Sequence, residues 1–312
     1  MKQKTNRFTC LLAVILLAGC SGSELPEGLQ PAGPSEADIP LNVTVASLEA
    51  EVESAPGTRA ATNLGSGTSI GIFRDNTNGY TAAGNIRYNY GSPKWAPQTA
   101  SETIYLGLLP VNVCAYHPWS SGKTTAIALT SGVYATTNDL SYATNLSVDG
   151  RTNKTTALTF AMKRAYARVA FKLKRDNYPG TCTVSNLTVK NLLPSTTLTI
   201  TSGTYAATTG TTAATLNRTR TVVVTATAGA STDWGEEYLL VPCTPAGTGM
   251  EITLTVDGKT MTTTVPTASY KPVAGEYKTI TLTLKGTDLK ASSVTTEDWT
   301  NQNLSGEYIP LP

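Results

Sequence analysis

Histidine is the side chain best suited to moving protons near neutral pH, and the chain has one, His117, in Ala115-Tyr116-His117-Pro118-Trp119. A Ser-His-Asp arrangement could use it as a base. No nucleophile elbow is read to accompany it, since that device needs a serine on a sharp strand-to-helix turn. A histidine in a turn before proline is read as structural. Zinc calls for clustered cysteine and histidine, and neither Cys-x-x-Cys nor His-Glu-x-x-His occurs. Asp75-Asn76-Thr77-Asn78-Gly79 has some calcium-loop composition but lacks the spacing and the distal glutamate, so it reads as a turn. Glu236 and Glu237 are neighbours and would face opposite sides of a strand, which rules them out as a glycosidase pair with each other. No glycine-rich phosphate loop lies in a strand-loop-helix setting. These patterns predict a protein that is not an enzyme and holds neither metal nor cofactor.

The strongest chemical signal lies at the start. Lys2, Lys4 and Arg7 precede the apolar run from Phe8 to Ala18, which is too short to span a bilayer. It ends in Leu17-Ala18-Gly19-Cys20, which resembles a bacterial lipobox. The motif implies cleavage before Cys20, acylation of its sulfur and, with Ser21 following, delivery to the outer membrane. Several acyl chains, at about 0.8 kcal/mol per buried CH₂, would anchor the chain firmly. Cys114, Cys182 and Cys243 remain. Three thiols allow at most one disulfide, and buried small apolar groups are the plainer reading.

The elements that position these residues read as strands. Among 312 residues only 15% are charged and the net charge is +2, so nothing points to nucleic acid. Abundant threonine suits strands and resists helix. Residues 20–38 are rich in proline and glycine without apolar periodicity and read as a flexible tether. Ile39, Leu41, Val43 and Val45 then alternate with polar residues, as one buried face of a strand requires. A small-residue loop with Arg59 and Ala60 follows, then the apolar strand Ser69-Ile70-Gly71-Ile72-Phe73. Asn78-Gly79 is a hairpin turn signal. Ile86, Tyr88 and Tyr90 alternate, as do Ile104, Leu106 and Leu108, and then Val111, Val113 and Ala115. Later strands are read at 186–189, 198–200, 222–224, 252–256, 261–265 and 280–284. Asp257-Gly258 should join the fourth and fifth of these as a tight hairpin. Between Leu158 and Leu173 the alternation slips phase at Lys163-Arg164. A bulge or a change of sheet would do this, so two strands are expected there, not a helix.

Short strands with regular turns predict an all-β protein of two tandem β-sandwiches with Greek-key character. The expected divisions are a signal peptide at 1–19, the tether at 20–38, an N-terminal sandwich at 39–157, a C-terminal sandwich at 158–290 and an appendage or donor strand at 291–312. Tyr88, Tyr90, Trp95, Tyr116 and Trp119 lie close in sequence. They could stack on a sugar, although core and sandwich-edge packing is the plainer reading.

Taken in order, these pieces resemble the fimbrillin family, the subunits of type V pili. The carriers are the lipobox at Cys20, Thr58-Arg59-Ala60 before Ile70-Gly71-Ile72-Phe73, and Leu158-Thr159-Phe160 followed by Ala167-Arg168-Val169-Ala170-Phe171. Further on come Tyr238-Leu239-Leu240-Val241-Pro242, Gly275-Glu276-Tyr277-Lys278-Thr279 and Asp298-Trp299. The family's mid-chain histidine after Phe160 is absent.

The resemblance implies transthyretin-like sandwiches and cleavage after Arg59, before Ala60, by a trypsin-like, arginine-specific protease. That cut would remove the lipid and the strand bearing Ile39, Leu41, Val43 and Val45. Four apolar side chains at about 1.5–3 kcal/mol each would leave a groove that a neighbouring subunit's strand could fill, and the contact would propagate as a filament. The implied partners are other pilus subunits, the protease, and the outer membrane before processing. The donor would come from residues 294–312, which include Leu304, Tyr308, Ile309 and Leu311. The competing expectation is a glycan-binding surface lipoprotein that keeps Cys20 and stays anchored.

Overall fold

The computed structural model describes residues 39–48, 62–286, 288–297 and 299. Cys20, Arg59, Ala60 and the segment 300–312 lie outside the described residues. What is described is almost entirely strand. The first run comprises β1 (Ile39–Pro40), β2 (Val43–Leu48), β3 (Thr62–Asn63), β4 (Ser69–Arg74), β5 (Ala83–Gly91), β6 (Lys94–Pro97), β7 (Tyr105–Leu106) and β8 (Val111–His117). Next come β9 (Ala126–Thr130), β10 (Gly132–Val133), β11 (Ser141–Val148), the short helix α1 (Gly150–Thr155) and β12 (Leu158–Arg164). The remainder is β13 (Ala167–Arg175), β14 (Thr183–Lys190), β15 (Ser195–Thr199), β16 (Thr204–Tyr205) and β17 (Ala214–Val223), then β18 (Ser231–Leu240), β19 (Gly249–Val256), β20 (Lys259–Pro266), β21 (Tyr277–Lys285) and β22 (Asp288–Glu297).

One sheet runs β12-β11-β8-β4-β5-β6-β2-β3, and β2 also pairs with β12, so the sheet closes on itself through β2. It encloses a core that includes Val43, Ile70, Ile72, Tyr88, Val113 and Phe160. A second core lies between the sheets β10-β18-β13-β21-β22 and β17-β14-β19-β20. Phe171, Leu187, Trp234, Ile252 and Leu282 belong to it. Phe73, Cys114, Tyr116 and Tyr142, from the first sheet, extend this second core.

Local chemistry explains the turns. Asp257 (φ 46°) and Gly258 (φ 77°) both take the left-handed conformation that a type I′ hairpin needs, and Val256 pairs with Lys259 across it. The Asp257 carboxylate accepts from Thr181 Oγ1 at 2.7 Å, Thr183 N at 2.9 Å and Cys182 N at 3.0 Å. These bonds favour the ionised form and hold its pKa down at about 2. Asn78 and Gly79 also have positive φ, but they sit in a one-turn 3₁₀ segment within a longer connection, since Arg74 pairs with Ala83.

The structure shifts the expected boundaries. The phase slip near Arg164 is a change of sheet, as anticipated: β12 pairs with β11 and β2, and β13 pairs with β18 and β21. The strand starting at Leu158 therefore belongs to the first core, and the break at 157 moves to Ala165–Tyr166. Residues 126–133 move the other way, because β9 pairs with β15 and β10 with β18. At the far end β22 pairs along its length with β21, including Val294 with Ile280. Residues 291–297 thus belong to the second fold, and Trp299 is buried beyond them. Leu108 also departs from expectation. Ile104 and Leu106 are buried, but Leu108 is 64% exposed, because β7 stops at Leu106 and the chain turns outward.

Candidate strand-exchange site

The expected early strand forms in two pieces. Ile39 pairs with Leu106 and Pro40 with Tyr105. Leu41 N donates to Ile104 O at 2.8 Å. From Val43 onward β2 runs parallel to β12, with Val43 opposite Leu158 and Leu48 opposite Met162. Its other edge meets Trp95 at Val43 and β3 at Ser47 and Leu48. Leu41 and Val43 point inward and are buried, but Val45 is only half-buried, and so is Ile39. The register slips between Leu158 and Thr159. This moves the buried set one residue along, to Ala46 and Leu48. A bulge of this kind reverses which face later side chains occupy.

A residue that the alternation could not reveal holds this strand. Asn153, in α1, is buried. Its Oδ1 accepts from Asn42 N at 2.6 Å and its Nδ2 donates to Asn42 O at 2.9 Å. The carboxamide therefore imitates a neighbouring strand at the point where β1 and β2 are interrupted. Asn42 O also accepts from Leu158 N at 2.8 Å. Asp149 caps α1 by accepting from Thr152 N at 2.8 Å, which orients the helix. Gly150 is packed so closely that a Cβ there would lie 2.8 Å from both Ile39 Cδ1 and Gly107 O.

Comparison with known proteins gives the family. The family model described as fimbrillin-like matches residues 58–299. The chain belongs to the fimbrillin-like family. Among solved structures, this fimbrillin-like chain is similar to a candidate cell adhesion protein from Bacteroides uniformis, with TM-score 0.53 and 20% identity over 86% of this chain and 100% of the other. It is also similar to one from Bacteroides ovatus, with TM-score 0.56 and 17% identity over 85% of this chain and 99% of the other. These likenesses concern the fold. No curated protein matches.

The other chemically suggestive residues of the fimbrillin-like chain serve packing. His117 is buried, and its Nδ1 faces Ser69 O at 3.0 Å. Gly67-Thr68-Ser69-Ile70-Gly71 does have the Gly-x-Ser-x-Gly spacing. Ser69 opens a strand rather than a strand-to-helix turn. Its hydroxyl meets Asn89 Oδ1 at 2.9 Å and Arg87 Nη2 at 3.0 Å, and it is the Ser69 carbonyl that meets the histidine. Burial lowers the His117 pKa below 6.5. The folded chain therefore resists a proton that the unfolded chain accepts, and stability should fall as pH drops through about 6.5. Urea midpoints at pH 7.5 and pH 5 should differ in that direction, and His117→Gln should shrink the difference. An unchanged difference would assign the effect elsewhere.

Glu236 pairs with Arg218 at 3.0 Å, while Glu237 pairs with Arg168 and accepts from Tyr277 Oη at 2.7 Å. The two carboxylates thus serve different partners. The Arg218 bond holds Glu236 below the usual carboxylate range. Cys114, Cys182 and Cys243 are free and buried, and burial pushes the Cys114 thiol up to about 12. Tyr88, Trp95 and Tyr116 are buried in the cores. Tyr90 packs edge-on to Trp95 at 5.4 Å. Trp119 is half-buried under the Arg87 guanidinium at 4.8 Å. The five aromatic residues therefore do not form an open stacking surface. Among the described residues no group of three His, Cys, Asp or Glu side chains could hold a metal ion.

Proposed function

We propose that the chain is a structural subunit, stalk or tip, of a type V-like pilus that serves adhesion. It is exported as a lipoprotein acylated at Cys20, cut between Arg59 and Ala60, and assembled by donor-strand exchange. The observation that carries this reading is the seating of β2. One strand completes the first sheet, contributes Val43, Ala46 and Leu48 to its core, and is separated from the rest of the domain by the stretch that contains Arg59. Three large buried side chains, Leu41, Val43 and Leu48, are worth about 1.5–3 kcal/mol each. Their loss, with that of the backbone pairs, would cost much of a domain's stability. The opened groove would favour a replacement strand from another subunit. The partners are then other pilus subunits, an arginine-specific protease and, before the cut, the outer membrane. The competing glycan-binding role draws less support, because most of the aromatic rings it would use are buried.

Trypsin treatment of the purified, non-acylated chain should yield a stable product beginning at Ala60, and that product should polymerise. Arg59→Ala should stay uncut there and remain monomeric. A stable product with another N-terminus would remove the processing step. A product beginning at Ala60 that stays monomeric would remove the assembly step.

A further inference from the structure

Among the described residues four large apolar side chains are exposed: Tyr105 (40%), Leu108 (64%), Leu109 (46%) and Val223 (63%). Three of the four fall within five residues of one loop. Isolated exposed apolar residues need no explanation, but clustered ones do. This loop is held in place from several sides. Tyr80 Oη donates to Leu109 O at 2.7 Å and accepts from Gly107 N at 2.7 Å. Asn78 Nδ2 donates to Pro110 O at 2.7 Å, Gly150 N donates to Gly107 O at 2.8 Å, and Arg74 Nη1 donates to Tyr105 O. A loop whose backbone is this well fixed presents its leucines to solvent as a preformed finger, with little backbone left to order on binding.

Two neighbours indicate what the finger meets. The first is where the tether ends: Ile39, the first described residue, pairs with Leu106 at the base of the finger. Residues 20–38 therefore join the fold beside it. The second is charge. The helix α1, whose Gly150 bonds the finger, carries exposed Arg151 and Lys154. The adjoining Asp149 is kept ionised by bonds from Thr152 N and Thr152 Oγ1, so two cations stand against one carboxylate and the segment stays net positive. Apolar side chains and a tyrosine flanked by cations match the boundary between acyl chains and anionic headgroups.

The geometry points to a membrane-contact face: Tyr105, Leu108 and Leu109 insert at the lipid surface that holds acylated Cys20, while Arg151 and Lys154 bind its phosphates. This rests on the acylation in the proposed function. The face orients the newly exported subunit with the β1–β7 end against the leaflet. It also gives the unprocessed chain a second hold on the membrane besides its lipid.

The test uses the mature chain from residue 20 with Cys20→Ser, floated with phosphatidylcholine vesicles containing one-third phosphatidylglycerol. The chain should float with the vesicles. L108D/L109D should bind at least tenfold less, and R151E/K154E should abolish the dependence on phosphatidylglycerol. Both variants alter exposed positions, so their denaturation midpoints should match the parent and rule out misfolding. Equal flotation of parent and L108D/L109D, or no flotation of the parent, would overturn the inference. So would a parent dimer that L108D/L109D dissolves, which would make the finger an interface between copies. Mass spectrometry of Cys20 in the cell-derived protein separates this failure from failure of the lipoprotein reading. An acylated Cys20 with no vesicle binding sinks only the contact face.

Discussion

Val43→Asp should destabilise the first domain by on the order of 4–5 kcal/mol, measured as the loss of urea-unfolding free energy, because it buries a charge with no partner. Val43 is fully buried and sits where β2 meets both Leu158 and Trp95. Val45→Asp, two residues away, should cost clearly less, about 1–2 kcal/mol, because the register slip leaves that side chain half-buried and turned from the core. Asn153→Ala should fall between them, at about 2–4 kcal/mol, because it leaves Asn42 N and O without their side-chain partner. Equal costs at 43 and 45 would mean that the strand keeps a single phase. The seating of β2 would then need redrawing, and the proposed exchange with it.

Arg164→Met should cost about 3–5 kcal/mol, because it strands a buried carboxylate. Arg164 and Asp139 form an ion pair with both side chains under a tenth exposed. The same guanidinium lies 4.5 Å over the Trp299 ring and donates to Trp299 O at 3.3 Å. One cation therefore ties β12, the turn before β11, and the residue that ends the described chain. The double variant Asp139→Leu/Arg164→Met should recover much of the loss, since apolar replacements of buried pairs are tolerated well. In the single variant, limited proteolysis should cut first near Trp299. If the single variant is as stable as the parent, the pair is not the clamp described here.

The legible parts of this fold were those fixed by neighbours in sequence. Asp257-Gly258 was readable because two residues alone set a type I′ turn. The slip at Arg164 was readable because period two exposes a change of face. Alternation says that a residue is buried but not in which core, so β9 and β10, with Ile127 and Leu129 in the second core, could not be assigned from pattern. Leu108 continued an alternation whose sheet had already ended. The one-residue shift at Val45 depends on how β2 meets β12, a contact more than a hundred residues distant in sequence. Asn153 had no pattern at all: its role is a bidentate bond to a backbone it meets only after folding. For the candidate site, the strand was legible, its phase beyond Val43 was not, and its clamp was invisible.

Only Ala165 and Tyr166, both buried, separate β12 from β13, and the chain crosses between the two cores twice more on either side of β9 and β10. Flexible linkers usually separate domains; here the chain passes between the cores three times. Under tension a filament of such units would have no slack joint to extend first. Force would reach both cores together, so the unit would behave as a stiff rod, and the contacts between successive subunits would set its bending and its breaking strength.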